Sequence, residues 1–262
     1  MTREASIIEL ADWLQTPPGR YLLAWEQAQL DAAVVDFFGF HALQLGLPEL
    51  AALRANRMPH QWLASDVVHD GAVNADGGPA KAGVALLCEF DALPFESASL
   101  DLVVLPHALE MARDPHQTLR ECERMLRPEG RLVILGLNPA SLWGLRQNLA
   151  RLVSRRLFLP QAGDFIGYWR LRDWLRLLSF EVDSARFGGY CPPLRSDKWL
   201  QRWRWTESVG SRWWPVLGAV YFITAVKRVH GMRLIGLARQ SKRMSKATAP
   251  AVAQHQHKKQ HP

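Results

Sequence analysis

A chain of 262 residues, 48 % of them hydrophobic, is long enough to bury a full core as one elaborated α/β domain. Its formal charge of +7 invites a nucleic-acid or anionic-membrane reading, but much of the excess is local: residues 146–156 carry four arginines and no acid, and the stretch after Arg239 is basic and poor in apolar residues. Three widely spaced cysteines (Cys88, Cys122, Cys191) without a CxxC pair exclude a metal-ligand spacing and suit a reducing, cytoplasmic setting.

Ile7, Leu10, Ala11 and Leu14 share one helical face, and Pro17-Pro18-Gly19 stops that helix. A second helix is predicted over 20–33 with Leu22, Leu23, Gln27 and Leu30 on its face, then a first strand over 41–45. A helix near 49–56 and a short strand over 61–64 follow, ending at Asp66. Residues 69–81, with Gly71, Gly77, Gly78 and Pro79, read as a loop. Strands are expected over 84–90 and 100–105, separated by the turn Leu93-Pro94-Phe95.

The strand over 100–105 barely alternates: Leu102, Val103, Val104 and Leu105 are all apolar, the pattern of a parallel strand buried on both faces. Asp114-Pro115 opens a helix, with the aspartate as N-cap, proline at the first helical position and Gln117 placed for a capping box. Leu119, Cys122, Met125 and Leu126 form its buried stripe. Arg127-Pro128-Glu129-Gly130 turns the chain into another apolar strand over 131–135. Strand, helix, turn and strand at this spacing make a βαβ unit.

Beyond Asn138 the texture changes. A basic helix is expected over 142–158, an amphipathic one over 168–178, and strands over 182–187 and 220–229 with a Trp- and Arg-rich insertion between them. The longest apolar run, 213–226, is broken by Pro215 and Gly218 and falls short of the roughly 20 residues that a membrane helix needs. No transmembrane segment is expected. From 240 onward no periodicity survives, and disorder is expected there. His255, His257 and His261 in that tail read as incidental rather than as a metal site.

Read together, Phe90-Asp91-Ala92-Leu93-Pro94-Phe95, Ser99-Leu100-Asp101-Leu102-Val103-Val104, His107-Ala108-Leu109-Glu110, Asp114-Pro115-His116 and Leu126-Arg127-Pro128-Glu129-Gly130-Arg131-Leu132 resemble the type 11 class I methyltransferases. The resemblance implies a Rossmann-like, doubly wound α/β fold. Its sheet would have seven mostly parallel strands in the order 3-2-1-4-5-7-6, strand 7 antiparallel, under a helical cover. It implies S-adenosylmethionine as cofactor and methyl transfer as the activity. The expected divisions are a helical cap over 1–35, a cofactor half over 36–140, a C-terminal half over 141–239 and a basic tail over 240–262.

The site residues follow the same resemblance. Gly46 and Leu47 lie in the glycine-loop position after strand 1, where Gln44 stands in place of the family's acid, Gly46 is the one glycine kept of the family's group, and Pro48 removes an amide and a flexible point. Asp66, with Asp70 as the alternate, would take the ribose hydroxyls; Asp91 and the adjoining Ala92 would lie near the adenine. Leu105, Pro106 and His107 would line the cleft after strand 4. His107 is a weak candidate for a proton acceptor and more naturally a residue that orients a loop. Asn138 and Trp143 stand on the substrate side. The Trp-bearing stretches near 169–174, 199–205 and 213–214 would build a cover over a small or lipophilic substrate. Interleaved with Arg202, Arg204 and Arg212, they are also open to an RNA reading. A catalytically silent binding module remains the competing class, and the sequence is silent on oligomeric state.

Overall fold

The computed structural model describes residues 10–67, 85–152, 158–159 and 165–228. All belong to the compact unit formed by residues 1–229. The loop over 69–81, Asp70 and the basic tail fall outside the described residues.

Residues 10–14 are helical, and α1 (Pro17–Val34) follows directly. The proline pair therefore ends one helix and starts the next. Thr16 is the N-cap, its side chain accepting from the Gly19 amide, and Pro17 sits where no helical donor is lost. The buried stripe of α1 is Leu22, Leu23, Glu26, Leu30 and Val34. Gln27, expected on that face, instead bonds Asp31 and the carbonyl of Ala51.

The sheet contains β1 (His41–Leu45), β2 (His60–Ser65), β3 (Leu86–Leu87), β4 (Leu100–Pro106), β5 (Leu126–Leu137), β6 (Phe180–Gly188) and β7 (Val220–Lys227). Their order is β3-β2-β1-β4-β5-β7-β6. β7 runs antiparallel to both of its neighbours, whereas β1 to β5 pair in parallel. This is the Rossmann-like, doubly wound arrangement. Alternation along the strands builds two cores. Leu43, Leu45, Val103, Leu105, Leu132 and Ile134 face one side, while Ala42, Leu102, Val104, Val133, Leu135 and Phe222 face the other, where Leu30 and Val34 of α1 cover them.

Between β4 and β5 stand the short α2 (Ala108–Met111) and α3 (Pro115–Met125). Asp114 caps α3, accepting from the amides of His116 at 2.9 Å and Gln117 at 3.1 Å. Leu119, Cys122 and Met125 face the sheet. β5 starts at Leu126, before the expected turn, because the Arg127–Gly130 segment is accommodated as a register shift between Leu100 and Leu102.

Two elements differ from expectation. The segment 49–56 forms turns rather than a helix, because the side-chain amides of Gln44, Gln27 and Gln61 claim its backbone. Gln44 Nε2 lies 2.8–3.1 Å from the carbonyls of Gly46, Leu47 and Leu50, and its Oε1 accepts from the Ala52 amide. Asn56 ties the same loop to the end of α1 through the carbonyls of Val34 and Phe37. β3 shrinks to two residues: after Cys88 bonds the Ser65 carbonyl, the chain turns Phe90 into the core and leaves the ladder.

The C-terminal half adds α4 (Leu142–Leu152) after β5, α5 (Tyr168–Leu177) before β6, and α6 (Asp197–Arg202) and α7 (Thr206–Trp213) between β6 and β7. No helix among the described residues is long and apolar enough to cross a membrane.

Candidate active site at the carboxyl edge of the sheet

In an open parallel sheet, ligands bind beyond the carboxyl ends of the strands. The ends of β1, β2, β3 and β4 bring Gly46, Asp66, Asp91 and His107 to that edge. Gly46 has φ +74, a conformation for glycine, and Leu47 continues the turn at φ +45. The Gly46 amide donates to the Ala64 carbonyl at 2.7 Å, which holds the turn against β2. A Cβ on Gly46 would stand 3.5 Å from the Phe90 ring and 3.9 Å from Ala108, so three separate strand ends converge on this corner.

Asp66 follows β2 directly and is half-buried. Its charge reaches Cys88, whose thiol is pushed above its usual range first by burial and then by that carboxylate. Asp91 Oδ1 accepts from the Thr118 hydroxyl at 3.2 Å, which fixes the carboxylate against α3, while the neighbouring Ala92 is exposed. Leu105 and Pro106 are buried in β4.

His107 is 2 % exposed, adopts φ 54, and donates its amide to the Leu135 carbonyl at 3.0 Å. Its ring is held on both nitrogens: Nε2 lies 2.9 Å from Glu26 Oε1 and Nδ1 lies 3.0 Å from Glu110 Oε2. Glu110 in turn accepts from the Leu137 amide. Burial alone would lower the histidine pKa, but the charges of Glu26 and Glu110 outweigh it and raise the value to about 10. The ring is therefore an imidazolium donating twice. It has no nitrogen left to take a proton from a substrate, and its chemistry is that of a clamp joining α1, α2 and the end of β5. Burial pushes the Glu110 carboxyl up, with the histidine opposing that shift.

Asn138 and Trp143 are buried as well. Asn138 Nδ2 donates to the carbonyls of Val216 at 2.7 Å and Gly218 at 2.9 Å, joining the end of β5 to the approach to β7. Trp143 packs against Phe158 and donates from Nε1 to the Cys191 carbonyl at 2.6 Å. Both spend their polar side-chain atoms on the protein's own backbone. Among the described residues, no group of three or more His, Cys, Asp or Glu side chains is arranged to hold a metal ion.

The sequence reading missed Glu26 and the clamp built on it. One signal was available: a glutamate stands in the i, i+4 series Leu22, Glu26, Leu30, Val34, where a carboxylate needs a partner.

A glycine turn after β1 and acids after β2 and β3 stand at the carboxyl edge of an open, Rossmann-like sheet in which β7 runs antiparallel between β5 and β6, and that sheet defines the fold class. The methyltransferase domain family matches residues 50–134. The chain is 35 % identical over 176 residues to the uncharacterized protein YafS of Escherichia coli (strain K12), a match covering 67 % of each protein. It is also 35 % identical over 97 residues to malonyl-[acyl-carrier protein] O-methyltransferase 1 of Coxiella burnetii, covering 36 % of this chain and only 34 % of that enzyme. Among solved structures, the methyltransferase bound to the Trm112 activator in Haloferax volcanii shares the fold with a TM-score of 0.57 at 19 % identity. That likeness covers 85 % of this chain and 97 % of the other. The chain belongs to the class I S-adenosylmethionine-dependent methyltransferases.

The residues present fit the adenosine half of that cofactor, since carboxylates after β2 and β3 are the acceptors that ribose hydroxyls and an adenine amino group require. The loop after β1 is built differently. Gln44 spends its amide on the loop's own backbone, and Leu47, Pro48 and Leu50 are buried within it.

Proposed function

We propose that the protein transfers the methyl group of S-adenosylmethionine to a small or lipophilic acceptor. The observation that carries this reading is the meeting of the Gly46 turn with Phe90 and Ala108 at the carboxyl edge, with Asp66 directly after β2 and Asp91 next to Phe90. Asp66 would accept from the ribose hydroxyls, Asp91 with Ala92 would lie against the adenine, and the backbone of Gly46 and Leu47 would border the methionine end. Leu105 and Pro106 would form the apolar floor. The His107 clamp would hold that floor against α1, and Asn138 and Trp143 would support the acceptor side.

The bound cofactor supplies an activated methyl whose C–S bond electrons leave with a neutral thioether sulfur. Alignment and exclusion of water then carry most of the rate. A proton acceptor is needed only for an acceptor that arrives protonated, and no side chain is assigned that role. The malonyl-[acyl-carrier protein] methyltransferase among the relatives favours an acceptor with an acyl chain.

Calorimetric titration with S-adenosylmethionine tests the reading. Saturable binding weakened roughly tenfold by Asp91→Asn is expected, the loss of about one good hydrogen bond. Absence of binding at millimolar cofactor would sink it.

The loop built on Gln44 supports a second reading, a methyltransferase fold that binds without turnover. Retained affinity for S-adenosylhomocysteine with no methyl transfer across a broad acceptor panel would favour that module.

A further inference from the structure

The outer face of α4 is apolar where solvent should meet it. The helix buries Trp143, Gly144 and Gln147 on its inner side. Leu142, Leu145 and Leu149 stand three and four residues apart on the other side and are 52, 54 and 53 % exposed. That spacing aligns them in one stripe. Arg146 flanks the stripe, its guanidinium 4.6 Å from the centre of the Phe158 ring.

The strand register sets a second surface beside the first. Leu137, Val220 and Gly188 are neighbours across β5, β7 and β6, so residues 189–219 leave from and return to the edge where α4 begins. Trp143 donates to the Cys191 carbonyl and Arg146 to that of Pro193, which ties α4 to this segment. Residues 189–219 contain five of the eleven tryptophans. Trp199, Trp205, Trp213 and Trp214 are each more than half exposed, Trp213 by 70 %. Arg195, Lys198, Arg202, Arg204 and Arg212 face only two acids in the same stretch. One of them, Asp197, is paired with Arg20 at 3.2 Å, and the other, Glu207, accepts from the Tyr190 amide. The surface charge there is cationic.

Tryptophan and leucine side chains standing among arginines suit the headgroup layer of a bilayer, where indole rings settle and apolar side chains reach the acyl boundary. Anionic headgroups add attraction for each nearby cation. A nucleic acid would use the arginines and stack on the tryptophans, but three aliphatic side chains on α4 would gain nothing from it. We propose that this edge of the molecule docks on an anionic phospholipid bilayer, so that a lipophilic acceptor reaches the cleft from the membrane. The second half of that statement rests on the lipophilic-acceptor reading above; the docking does not.

The test uses the full chain with vesicles of phosphatidylcholine alone or mixed with phosphatidylglycerol. Binding is read by flotation, and cofactor affinity is measured on the same preparation by calorimetry. Partition onto the anionic vesicles should be stronger by roughly tenfold or more and should weaken at high salt. The double substitution of two exposed positions, Leu145→Ser with Trp213→Ser, should lower that partition by about tenfold and leave cofactor affinity and circular dichroism unchanged. Equal binding to both vesicle types, or wild-type binding by the double variant, would overturn the docking. So would displacement of the protein from vesicles by a single-stranded RNA oligonucleotide. Vesicle binding without cofactor binding would support the docking and overturn the methyltransferase reading. Cofactor binding without vesicle binding would do the reverse.

Discussion

Glu26 of α1, His107 at the turn from β4 into α2 and Glu110 of α2 are buried together, with ring-to-carboxylate distances of 2.9 and 3.0 Å. Removing the charged centre of such a cluster strands its partners, a loss of about 3–5 kcal/mol for a buried pair. His107→Gln is therefore expected to cost about 3 kcal/mol near neutral pH, measured by denaturant unfolding. The pH dependence has a definite sign. The histidine pKa rises from 6.5 on the unfolded chain to about 10 in the fold. Its contribution is thus complete below 6.5 and is lost as the pH climbs through 10. The groups facing the ring are Glu26 from α1 and Glu110 from α2, with Tyr221 of β7 near Glu110; burial holds the Tyr221 hydroxyl above its ordinary range. The wild-type melting temperature should fall across that window more steeply than that of His107→Gln. Parallel curves for the two proteins would show that the ring is not charged in the fold. His107 and Glu110 were visible in the sequence as the end of a motif. Their partner was not, because Glu26 lies 81 residues away and only the folded sheet brings α1 over β4.

The loop from Gly46 to Asn56 shows where an element escapes local reasoning. Its composition suits a helix, yet Gln44 satisfies the carbonyls of Gly46, Leu47 and Leu50 and the Ala52 amide from inside the core, and Gln27 takes the Ala51 carbonyl, so these groups make no helical bonds. Strands β1, β2 and β4 and helix α3 were legible because their signals are local: continuous apolar runs, and an aspartate and proline at a helix start. The short β3 was not, since its end is set by Phe90 turning under Gly46. The family resemblance implies an acid at position 44, so Gln44→Glu resembles a restoration. The geometry predicts the opposite. A carboxylate cannot donate to the carbonyls of Gly46, Leu47 and Leu50, and it would sit buried among acceptors. A destabilisation of about 2–3 kcal/mol in denaturant unfolding is expected, with weaker cofactor binding rather than stronger. Equal or higher stability of Gln44→Glu would mean that the loop rearranges around an acid.

Across the whole molecule, the strand order and the direction of β7 followed from a resemblance confined to the segment Phe90 to Asn138, because each strand in this topology has one place once its neighbours are fixed. The surface was less legible. Composition alone could not separate tryptophans that cover a core, such as Trp143 at 1 % exposure, from those that face outward, such as Trp213. Which of the two a tryptophan becomes depends on the register that brings Gly188, Val220 and Leu137 to one edge. At this scale the proposed cofactor site is coupled to stability of the unit as a whole, because Asp66, Asp91 and the Gly46 turn are assembled only when β1 to β4 are paired. A ligand at a hundred times its dissociation constant then stabilises the fold by about 2.7 kcal/mol. For a unit of this size that is a rise in melting temperature of about 5–10 °C, read by differential scanning fluorimetry. S-adenosylhomocysteine should give a rise of similar size, since the proposed contacts fall on the adenosine half that it shares, while Asp91→Asn should shrink both rises together. A rise that Asp91→Asn leaves untouched would place the cofactor elsewhere than at the carboxyl edge of the sheet.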